Sequence, residues 1–323
     1  MTIVDHLPSW NEGPAKAAIL AFVQATTDPT SPEFIAEKDR IATFDQDGTL
    51  WVEHPMFTQI AFALDRLAEL APQHPEWKTT EPFKSALTGD MAAFARFSMD
   101  DLEAIVAASH AGMTTDDFER IVTNWIGQAE HPRWNRPYTD LVYQPMLEVM
   151  RYLRTNGFKN YIVTGGGQAF VRAYAERVYD IVPERIIGSS LETQFDYDAD
   201  GKAILMRPAK ILLYNDLAGK PQDIYLFLGR PPLAAFGNST GDQQMLEYTQ
   251  SGEGARLMAL VLHDDETREY AYGPGSVHAD TKVGAFTEAL ADTAKAKGWV
   301  VVSMKNDWRR VFAFESKRGE SDV

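Results

Sequence analysis

The sequence predicts an α/β protein whose core is a doubly wound, Rossmann-like parallel sheet. Three short apolar segments end in small polar residues, as buried strands of such a sheet do, and they lie at 40–44, 159–163 and 233–236. Helical patterns follow the second and third segments, at 167–179 and 242–249. Repetition of strand, turn and helix is typical of a doubly wound sheet, whose ligands bind outside the carboxyl ends of the strands. We therefore expect the functional site where these three strands end.

The segment between the first two strands predicts an inserted domain. It contains about 115 residues, whereas a strand-to-helix connection in such a sheet usually takes about 2 to 6 residues. Apolar residues recur at helical spacing in four stretches, 57–70, 82–97, 100–109 and 115–129. We therefore expect a helical cap at 52–138, inserted into a catalytic core formed by 1–51 and 139–323. The remaining expected elements are helices at 141–155 and 282–297 and strands at 256–262 and 299–303.

Composition excludes several classes of site and partner. The 323 residues include no cysteine, which rules out disulfides, thiolate zinc sites and cysteine nucleophiles. The formal net charge of −15 repels polyanions such as nucleic acid and anionic lipid surfaces. The apolar run at 17–23 follows acidic rather than basic residues, and no run approaches the roughly 18 apolar residues of a membrane span. We expect a cytoplasmic protein that binds neither nucleic acid nor membranes.

Two carboxylates follow the first predicted strand, in the segment 45–50 (DQDGTL). Asp45 and Asp47 lie two residues apart on a turn, so one can attack phosphorus while the other exchanges a proton with the leaving group. Gly48 permits the tight turn. A D-x-D-G string by itself often only ends a strand, so a catalytic interpretation depends on the motifs that follow it.

Two further motifs supply groups that can bind phosphate. Residues 164–167 (TGGG) follow the second strand, where the hydroxyl of Thr164 and bare backbone amides such as that of Gly165 can hold phosphate oxygens near a helix N-terminus. A lysine can neutralise charge between the nucleophile and the phosphate. Lys210 and Lys220 both precede the third strand, and the spacing favours Lys220.

Residues 237–242 (GNSTGD), at the end of the third strand, offer oxygen ligands for a cation. Mg²⁺ prefers hard oxygen ligands and takes only a few of them from the protein. Asp45, the carbonyl of Asp47 and a side-chain oxygen of Asn238 or Asp242 would suffice. Clustered carboxylates also repel one another, which is a second reason to expect a bound cation.

With these four motifs in this order, residues 40–246 resemble the haloacid dehalogenase (HAD) superfamily, in its phosphatase branch with a helical cap. Within that branch the sequence resembles phosphoserine phosphatase-like hydrolases. The resemblance implies that Asp45 is the nucleophile and Asp47 the general acid and base. It also implies that Thr164 and Lys220 bind phosphate and that the loop after the third strand holds the metal.

One position of the metal-binding loop departs from the pattern of the family. Asn238 stands where phosphoserine phosphatases carry an aspartate directly after the first glycine of this motif. Its amide oxygen can ligate a metal but carries no formal charge. Asp242 can therefore take the anionic role, directly or through water, and the choice between the two ligands stays open.

These features predict a magnesium-dependent phosphohydrolase that cleaves a small phosphorylated metabolite through an aspartyl phosphate on Asp45. Dehalogenases of the superfamily lack the second aspartate, so Asp47 favours an oxygen leaving group. Two alternatives remain: a phosphotransferase or phosphomutase on the same scaffold, and a non-catalytic HAD-like binding protein. Release of free phosphate separates the hydrolase from the mutase.

The start of the cap is the expected place for substrate recognition. Residues 51–54 follow the nucleophile closely and leave the sheet where the cap begins, so their side chains can face the organic part of the substrate. In phosphoserine phosphatases a glutamate close to this position contacts the substrate amine, which implies a similar role for Glu53. A solvated glutamate at a helix start is the alternative.

Three other polar patterns are interpreted as structural. The acidic repeat at 196–201 (DYDADG) imitates the start of an EF-hand loop, but Arg207 occupies the twelfth position, where such a loop requires a glutamate, so we expect a hairpin turn. The acidic run at 264–266 is expected to be a solvated loop. Three histidines are expected to be ordinary polar residues of the cap: His54, His110 and His131.

Overall fold

The computed structural model describes residues 5–89 and 96–315. Its strands are β1 (Ile41–Phe44), β2 (Met113–Thr114), β3 (Glu130–His131), β4 (Arg136–Pro137), β5 (Lys159–Gly167), β6 (Ile186–Leu191), β7 (Gln194–Tyr197), β8 (Ala203–Arg207), β9 (Ile211–Leu213), β10 (Ala234–Gly237), β11 (Leu257–Leu262) and β12 (Val300–Ser303). Its helices are α1 (Pro14–Thr27), α2 (Thr58–Leu70), α3 (Phe83–Thr88), α4 (Met99–His110), α5 (Thr115–Ile126), α6 (Gln144–Thr155), α7 (Gln168–Tyr179), α8 (Gly219–Leu228), α9 (Gln243–Gln250), α10 (Glu288–Lys297) and α11 (Met304–Asp307). Part of the helix predicted at 82–97 lies outside the described residues. No helix in the described part of the chain is both long and apolar enough to cross a membrane.

The main sheet confirms the predicted fold class. It has seven strands in the order β12, β11, β10, β1, β5, β6 and β9, and all neighbours are parallel except the antiparallel pair β6 and β9. β1 lies at the centre, where its last residue, Phe44, pairs with Phe236 of β10 and Ile162 of β5. The three strands predicted to carry the site are therefore neighbours, and their carboxyl ends lie at one edge of the sheet.

Side chains of the main sheet alternate between two apolar layers. Phe44 and Phe236 belong to one buried cluster, where their rings stack with centroids 4.6 Å apart. Val163 and Ala235 belong to the other cluster, because successive side chains of a strand point to opposite faces. Helices α1, α6 and α7 pack on the first layer, and α8, α9 and α10 pack on the second. The sheet is thus covered on both faces, as a doubly wound fold requires.

The helix predicted at 282–297 is shorter than expected. α10 begins at Glu288, and the hydroxyl of Thr287 caps it by accepting a hydrogen bond from the amide of Leu290. Gly284 has a φ of 61°, in the left-handed region, so a right-handed helix cannot run through it. The segment before α10 is instead a loop, and part of it lines the candidate site.

A second sheet connects two separate parts of the chain. β2 pairs with β8 and β8 pairs with β7, all antiparallel. β7 and β8 form the hairpin predicted around 196–201, so that prediction is confirmed. Helices α2 to α5 and strand β2 occupy the segment predicted to form the cap. The hairpin therefore brings residues from beyond β6 to that segment.

The prediction of a solvated loop at 264–266 is wrong for the middle residue. Asp265 is buried and accepts hydrogen bonds from the guanidinium of Arg268 and from the amides of Thr267 and Arg268. Its neighbour Asp264 accepts hydrogen bonds from the hydroxyl of Ser303 and the amide of Lys305. The run serves as a structural connection because later residues fold back onto it.

Candidate active site

β1 carries Asp45 and Asp47 to the carboxyl edge of the main sheet. The amide of Asp45 donates to the carbonyl of Phe236 at 2.8 Å, which prolongs the pairing of β1 with β10 by one residue. Gly48, with a φ of 71°, then reverses the chain. Trp51 donates its indole N–H to Oδ1 of Asp47 at 2.7 Å and thereby fixes that carboxyl group.

Lys220, in the first turn of α8, lies between two of the predicted site residues. Its Nζ donates to Oδ1 of Asp45 at 2.7 Å, to Oδ1 of Asp242 at 2.6 Å and to the carbonyl of Val163 at 3.0 Å. These three acceptors use all three protons of the ammonium group. Its rival Lys210 is exposed and pairs with Glu192 instead. The choice of Lys220 over Lys210 thus agrees with the position of the two lysines.

Electrostatics at this cluster follow from burial and from the imbalance of charge. Desolvation, together with repulsion from Asp242, raises the pKa of Asp45 to about 8, although Lys220 opposes the shift. Desolvation raises the pKa of Asp47 to about 6, and the hydrogen bond from Trp51 opposes that shift. Burial disfavours the charged form of Lys220, but attraction to Asp242 and Asp45 raises its pKa overall. The site as it stands has more negative than positive groups.

The glycine-rich turn after β5 lies beside the aspartates. Thr164 is buried, and its hydroxyl oxygen accepts a hydrogen bond from the amide of Gly166 at 3.0 Å. A Cβ added to Gly166 would lie 3.8 Å from Oδ2 of Asp47, so this turn approaches the first motif closely. Gly165 and Thr164 both line the same cavity as Asp45 and Asp47. Backbone amides and a hydroxyl are therefore available next to the two carboxylates.

The loop after β10 holds Asn238 and Asp242 in different ways. Asp242 is fully buried, and while its Oδ1 accepts from Lys220, its Oδ2 accepts from the amides of Asn238 and Ser239 at 2.9 and 3.0 Å. Asn238 is also fully buried, and its Oδ1 accepts a hydrogen bond from the hydroxyl of Thr49 at 3.0 Å. Both oxygens of Asp242 are thus occupied by the protein itself.

Glu53 is not solvated. Only 2% of its surface is exposed, and its Oε1 accepts hydrogen bonds from Nδ2 of Asn238 and from the hydroxyl of Tyr272, each at 2.7 Å. Desolvation raises the pKa of Glu53 well above its usual range, and the nearby Asp47 adds to the shift. The alternative of an exposed glutamate at a helix start is excluded by this burial. Glu53 lines the cavity beside the first motif.

Two supporting residues were not predicted from the sequence. Gln59 of α2 accepts a hydrogen bond from the amide of Gly167 at 2.6 Å, which links the predicted cap segment to the glycine-rich turn. His263, after β11, is buried with Nε2 2.7 Å from the carbonyl oxygen of Gly48 and Nδ1 2.9 Å from Glu269. Neither residue belongs to a recognisable motif, and both act only through contacts between distant parts of the chain.

All the predicted site residues except Asn238 and Asp242 line one large cavity. Its volume is about 1250 Å³, which exceeds the range of about 300 to 1,000 Å³ usual for small-molecule pockets. Carboxylates, hydroxyls and backbone amides line one part of it. Apolar side chains of α2 and α4 line another part: Ile60, Leu102, Ala104, Val106 and Ala107. The cavity therefore has room for a substrate with both a polar group and an apolar body.

A magnesium ion fits the donors present near β1. In the described residues no three His, Cys, Asp or Glu side chains form a metal-binding cluster. A mixed set of oxygens is nevertheless available. The carbonyl of Asp47 accepts no hydrogen bond from the described residues, and the carboxylate of Asp45 and the amide oxygen of Asn238 accept only one each, from Lys220 and Thr49, so all three keep a free lone pair. Hard oxygen donors beside an excess of carboxylates suit Mg²⁺.

Solved structures with a similar fold include proteins without a known function. A functionally unknown protein from Anaerococcus prevotii has 14% sequence identity and a TM-score of 0.62, and the alignment covers 93% of this chain and 94% of that chain. This likeness concerns the fold alone. A phosphoserine phosphohydrolase-like protein from Francisella tularensis subsp. tularensis has 15% identity, a TM-score of 0.40 and coverage of 80% of this chain and 99% of that chain. Similarity at that level supports no conclusion about this chain.

The family is established by the sequence rather than by these structures. No curated protein matches the chain significantly. The sequence pattern of the haloacid dehalogenase-like hydrolase family, however, matches residues 42–247, which is more than half of the chain. The matched range contains the ends of β1, β5 and β10 and thus all the predicted site residues. The chain is a member of the haloacid dehalogenase-like hydrolase family.

Proposed function

We propose that this protein is a magnesium-dependent phosphohydrolase that cleaves a small phosphomonoester through an aspartyl-phosphate intermediate on Asp45. The observation that carries the proposal is the position of Lys220, whose ammonium group contacts both Asp45 and Asp242 next to the turn formed by Thr164 and Gly165. A nucleophile, a buried cation and phosphate-binding donors then line one cavity. Membership of a hydrolase family agrees with this chemistry.

The reaction proceeds in two displacements at phosphorus. Lys220 binds Oδ1 of Asp45, which leaves Oδ2 as the attacking oxygen. A bond forms from Oδ2 to phosphorus, the bond from phosphorus to the alkoxide breaks, and Asp47 gives its proton to the alkoxide. A water molecule then attacks phosphorus and gives its proton to Asp47, which releases inorganic phosphate and restores the carboxylate of Asp45. Burial raises the pKa of Asp47, which favours the protonated form that the first displacement needs.

Three residues would hold the magnesium ion: Asp45 through its carboxylate, Asp47 through its carbonyl oxygen and Asn238 through its amide oxygen. When bound, Mg²⁺ would offset the negative charge of the carboxylates and of the phosphoryl oxygens. We assign Asp242 a different part, since Lys220 and two backbone amides already use its oxygens. Asp242 positions the lysine and the loop.

Recognition of the phosphoryl group and of the rest of the substrate falls to different parts of the chain. Thr164 and Gly165 would bind the phosphoryl oxygens as their charge grows in the transition state, and Lys220 would join them by exchanging one of its three acceptors for a phosphoryl oxygen. The segment 52–138 forms the cap over the core made by 1–51 and 139–323. Closure of such a cap would exclude bulk water from the first displacement and limit access to small phosphorylated metabolites.

The test is a screen of the purified protein against a panel of phosphorylated metabolites, with inorganic phosphate measured in magnesium and in EDTA. We expect phosphate release that needs magnesium and that Asp45→Asn eliminates. Accumulation of a phosphorylated product without free phosphate would assign the site to a phosphotransferase or mutase. No turnover of any phosphate ester would refute the proposal.

A further inference from the structure

Arg207, at the end of β8, is a buried cation on the wall of the active-site cavity. It is 6% exposed, its Nε donates to the carbonyl of His110 at 3.0 Å, and its guanidinium lies over the ring of Phe118 at 4.1 Å. Those contacts use one of the five N–H donors of a guanidinium group and fix its position. The sequence predicts only that Arg207 cannot complete an EF-hand loop.

Among the side chains that the structure describes, no carboxylate lies within ion-pair distance of Arg207. The three lysines that line the cavity are either paired or exposed. Lys220 pairs with Asp45 and Asp242. Lys210 is exposed and pairs with Glu192, and Lys282 is exposed. Burial lowers the pKa of Arg207 to about 10, so the group is still charged at neutral pH. An unpaired buried charge is costly, and an anion bound from the cavity would remove that cost.

Arg207 and the catalytic cluster belong to different sheets but line one cavity. β8 is part of the antiparallel sheet with β2 and β7, whereas Asp45 follows β1 of the main sheet. Apolar side chains of α2 and α4, among them Ile60, Leu102 and Val106, line the same cavity. A ligand of matching shape would have a phosphoryl group, an apolar body and a second anionic group.

We propose that Arg207 binds a second anionic group, a carboxylate or a second phosphate, of a phosphomonoester whose middle part is apolar. This inference rests on the proposed phosphohydrolase function and narrows its substrate class. A guanidinium group suits the role because its planar fork binds carboxylate and phosphate with two parallel hydrogen bonds. The net charge of −15 would repel an additional anion, so any preference for it must come from a local cation.

The experiment uses linear alkyl phosphates of increasing length that end in a methyl group, a carboxylate or a second phosphate. The measured quantity is the ratio of kcat/KM for the anionic ester to that for the methyl ester of equal length. We expect a wild-type ratio of about 10 to 100 at the best length, as for hydrogen bonds to a charged partner. The series with the larger ratio identifies the second anion as carboxylate or phosphate.

Variants of Arg207 and Lys210, which both line the cavity, distinguish a specific role of Arg207 from a general effect of positive charge. In Arg207→Gln the ratio should fall to about 1, and Arg207→Lys should keep part of it because the charge stays but the fork is lost. Lys210→Gln, the matched control, should keep the wild-type ratio. A ratio near 1 in the wild type at every length, or an unchanged ratio in Arg207→Gln, would overturn the proposal. Because the wild-type ratio is measured without any variant, the proposal can still be refuted if a variant fails to fold.

Failure of the phosphohydrolase proposal can be recognised separately. If no ester is hydrolysed, that proposal fails, and calorimetric titration with the corresponding alkyl phosphonates still tests Arg207. We then expect tighter binding of carboxylate-ended than of methyl-ended phosphonates, and loss of the difference in Arg207→Gln. Equal affinities of the wild type for both phosphonates would refute the role of Arg207.

Discussion

The side-chain amide of Asn238 donates a hydrogen bond to Oε1 of Glu53 at 2.7 Å, and Tyr272 donates to the same oxygen at 2.7 Å. Glu53 follows the first motif and Asn238 follows β10, so the contact joins the start of the predicted cap segment to the proposed metal-binding loop. The contact links the predicted role of Glu53 in substrate recognition to that of Asn238 in metal binding. A substitution at either residue removes or changes a hydrogen-bond partner of the other.

Glu53→Gln tests whether this carboxyl group recognises an amine of the substrate. If it does, kcat/KM for amine-bearing phosphates should fall by about 1.5 to 3 kcal/mol in transition-state free energy, while nitrophenyl phosphate should lose much less. Tyr272→Phe is the matched control, since it removes one hydrogen bond to Glu53 but keeps the carboxyl group. Equal losses on both substrates in Glu53→Gln would instead assign Glu53 to positioning Asn238 and the first motif.

Asn238→Asp tests the proposed metal ligand by a measurement that does not depend on turnover. The change removes the Nδ2 donor to Glu53 and places a second acidic group against it in a buried site, where both cannot ionise without cost, so we expect a lower Tm in EDTA than for the wild type. Magnesium should then raise the Tm more than it does for the wild type, because the additional charge attracts the cation. In the double variant Glu53→Gln/Asn238→Asp, the Tm in EDTA should recover. A magnesium-induced shift no larger than that of the wild type would argue against Asn238 as a ligand.

Asp45→Asn should abolish turnover and preserve the fold. An amide cannot attack phosphorus as a carboxylate does. Lys220 keeps Asp242 and the carbonyl of Val163 as partners, so the loss of one carboxylate leaves its charge paired. Phosphate release and circular dichroism provide the two measurements. Retention of more than a few per cent of wild-type activity would rule out the covalent mechanism.

Asp47→Asn should lower kcat/KM by about 10² to 10⁴, which is the usual contribution of general acid and base catalysis. Protonation of the leaving group matters less when that group is already stable as an anion. The loss should therefore be smaller for nitrophenyl phosphate than for an alkyl phosphate, as compared by initial rates on both. An equal loss for the two esters would indicate that Asp47 acts mainly through structure or metal binding.

His110→Gln should reduce the acid sensitivity of the fold. Desolvation lowers the pKa of the buried His110 from 6.5 to about 3. The side-chain amide nitrogen of Gln59 lies 3.0 Å from Nε2 of His110 and can donate a hydrogen bond to it only while Nε2 carries no proton. As the pH falls, His110 is therefore protonated in the unfolded chain before it is protonated in the folded protein. Its contribution to the unfolding free energy is complete above pH 6.5 and decreases as the pH falls towards 3. Between pH 6.5 and 5 the wild type should lose about 2 kcal/mol more unfolding free energy than the variant. Urea denaturation at several pH values measures the difference, and identical pH dependence would contradict it.

The sequence by itself determined the fold class and the position of the first motif, because both depend on local chemistry. Apolar runs that end in polar turns mark the buried strands β1, β5 and β10, and the ends of neighbouring parallel strands meet at one edge of a sheet. The proximity of the glycine-rich turn to Asp47 follows from that rule. Spacing along the chain also favoured Lys220 over Lys210, which agrees with the contact between Lys220 and Asp45.

Only the tertiary structure decided how residues far apart in the chain combine. Arg207 carried no positive signal in the sequence, and it became a buried cation of the cavity because β8 pairs with β2. His263 and Glu53 likewise gain their partners from segments more than a hundred residues away, at Gly48 and Asn238. Periodicity and turn residues report burial and local hydrogen bonding, whereas contacts of this kind depend on how complete elements pack against one another.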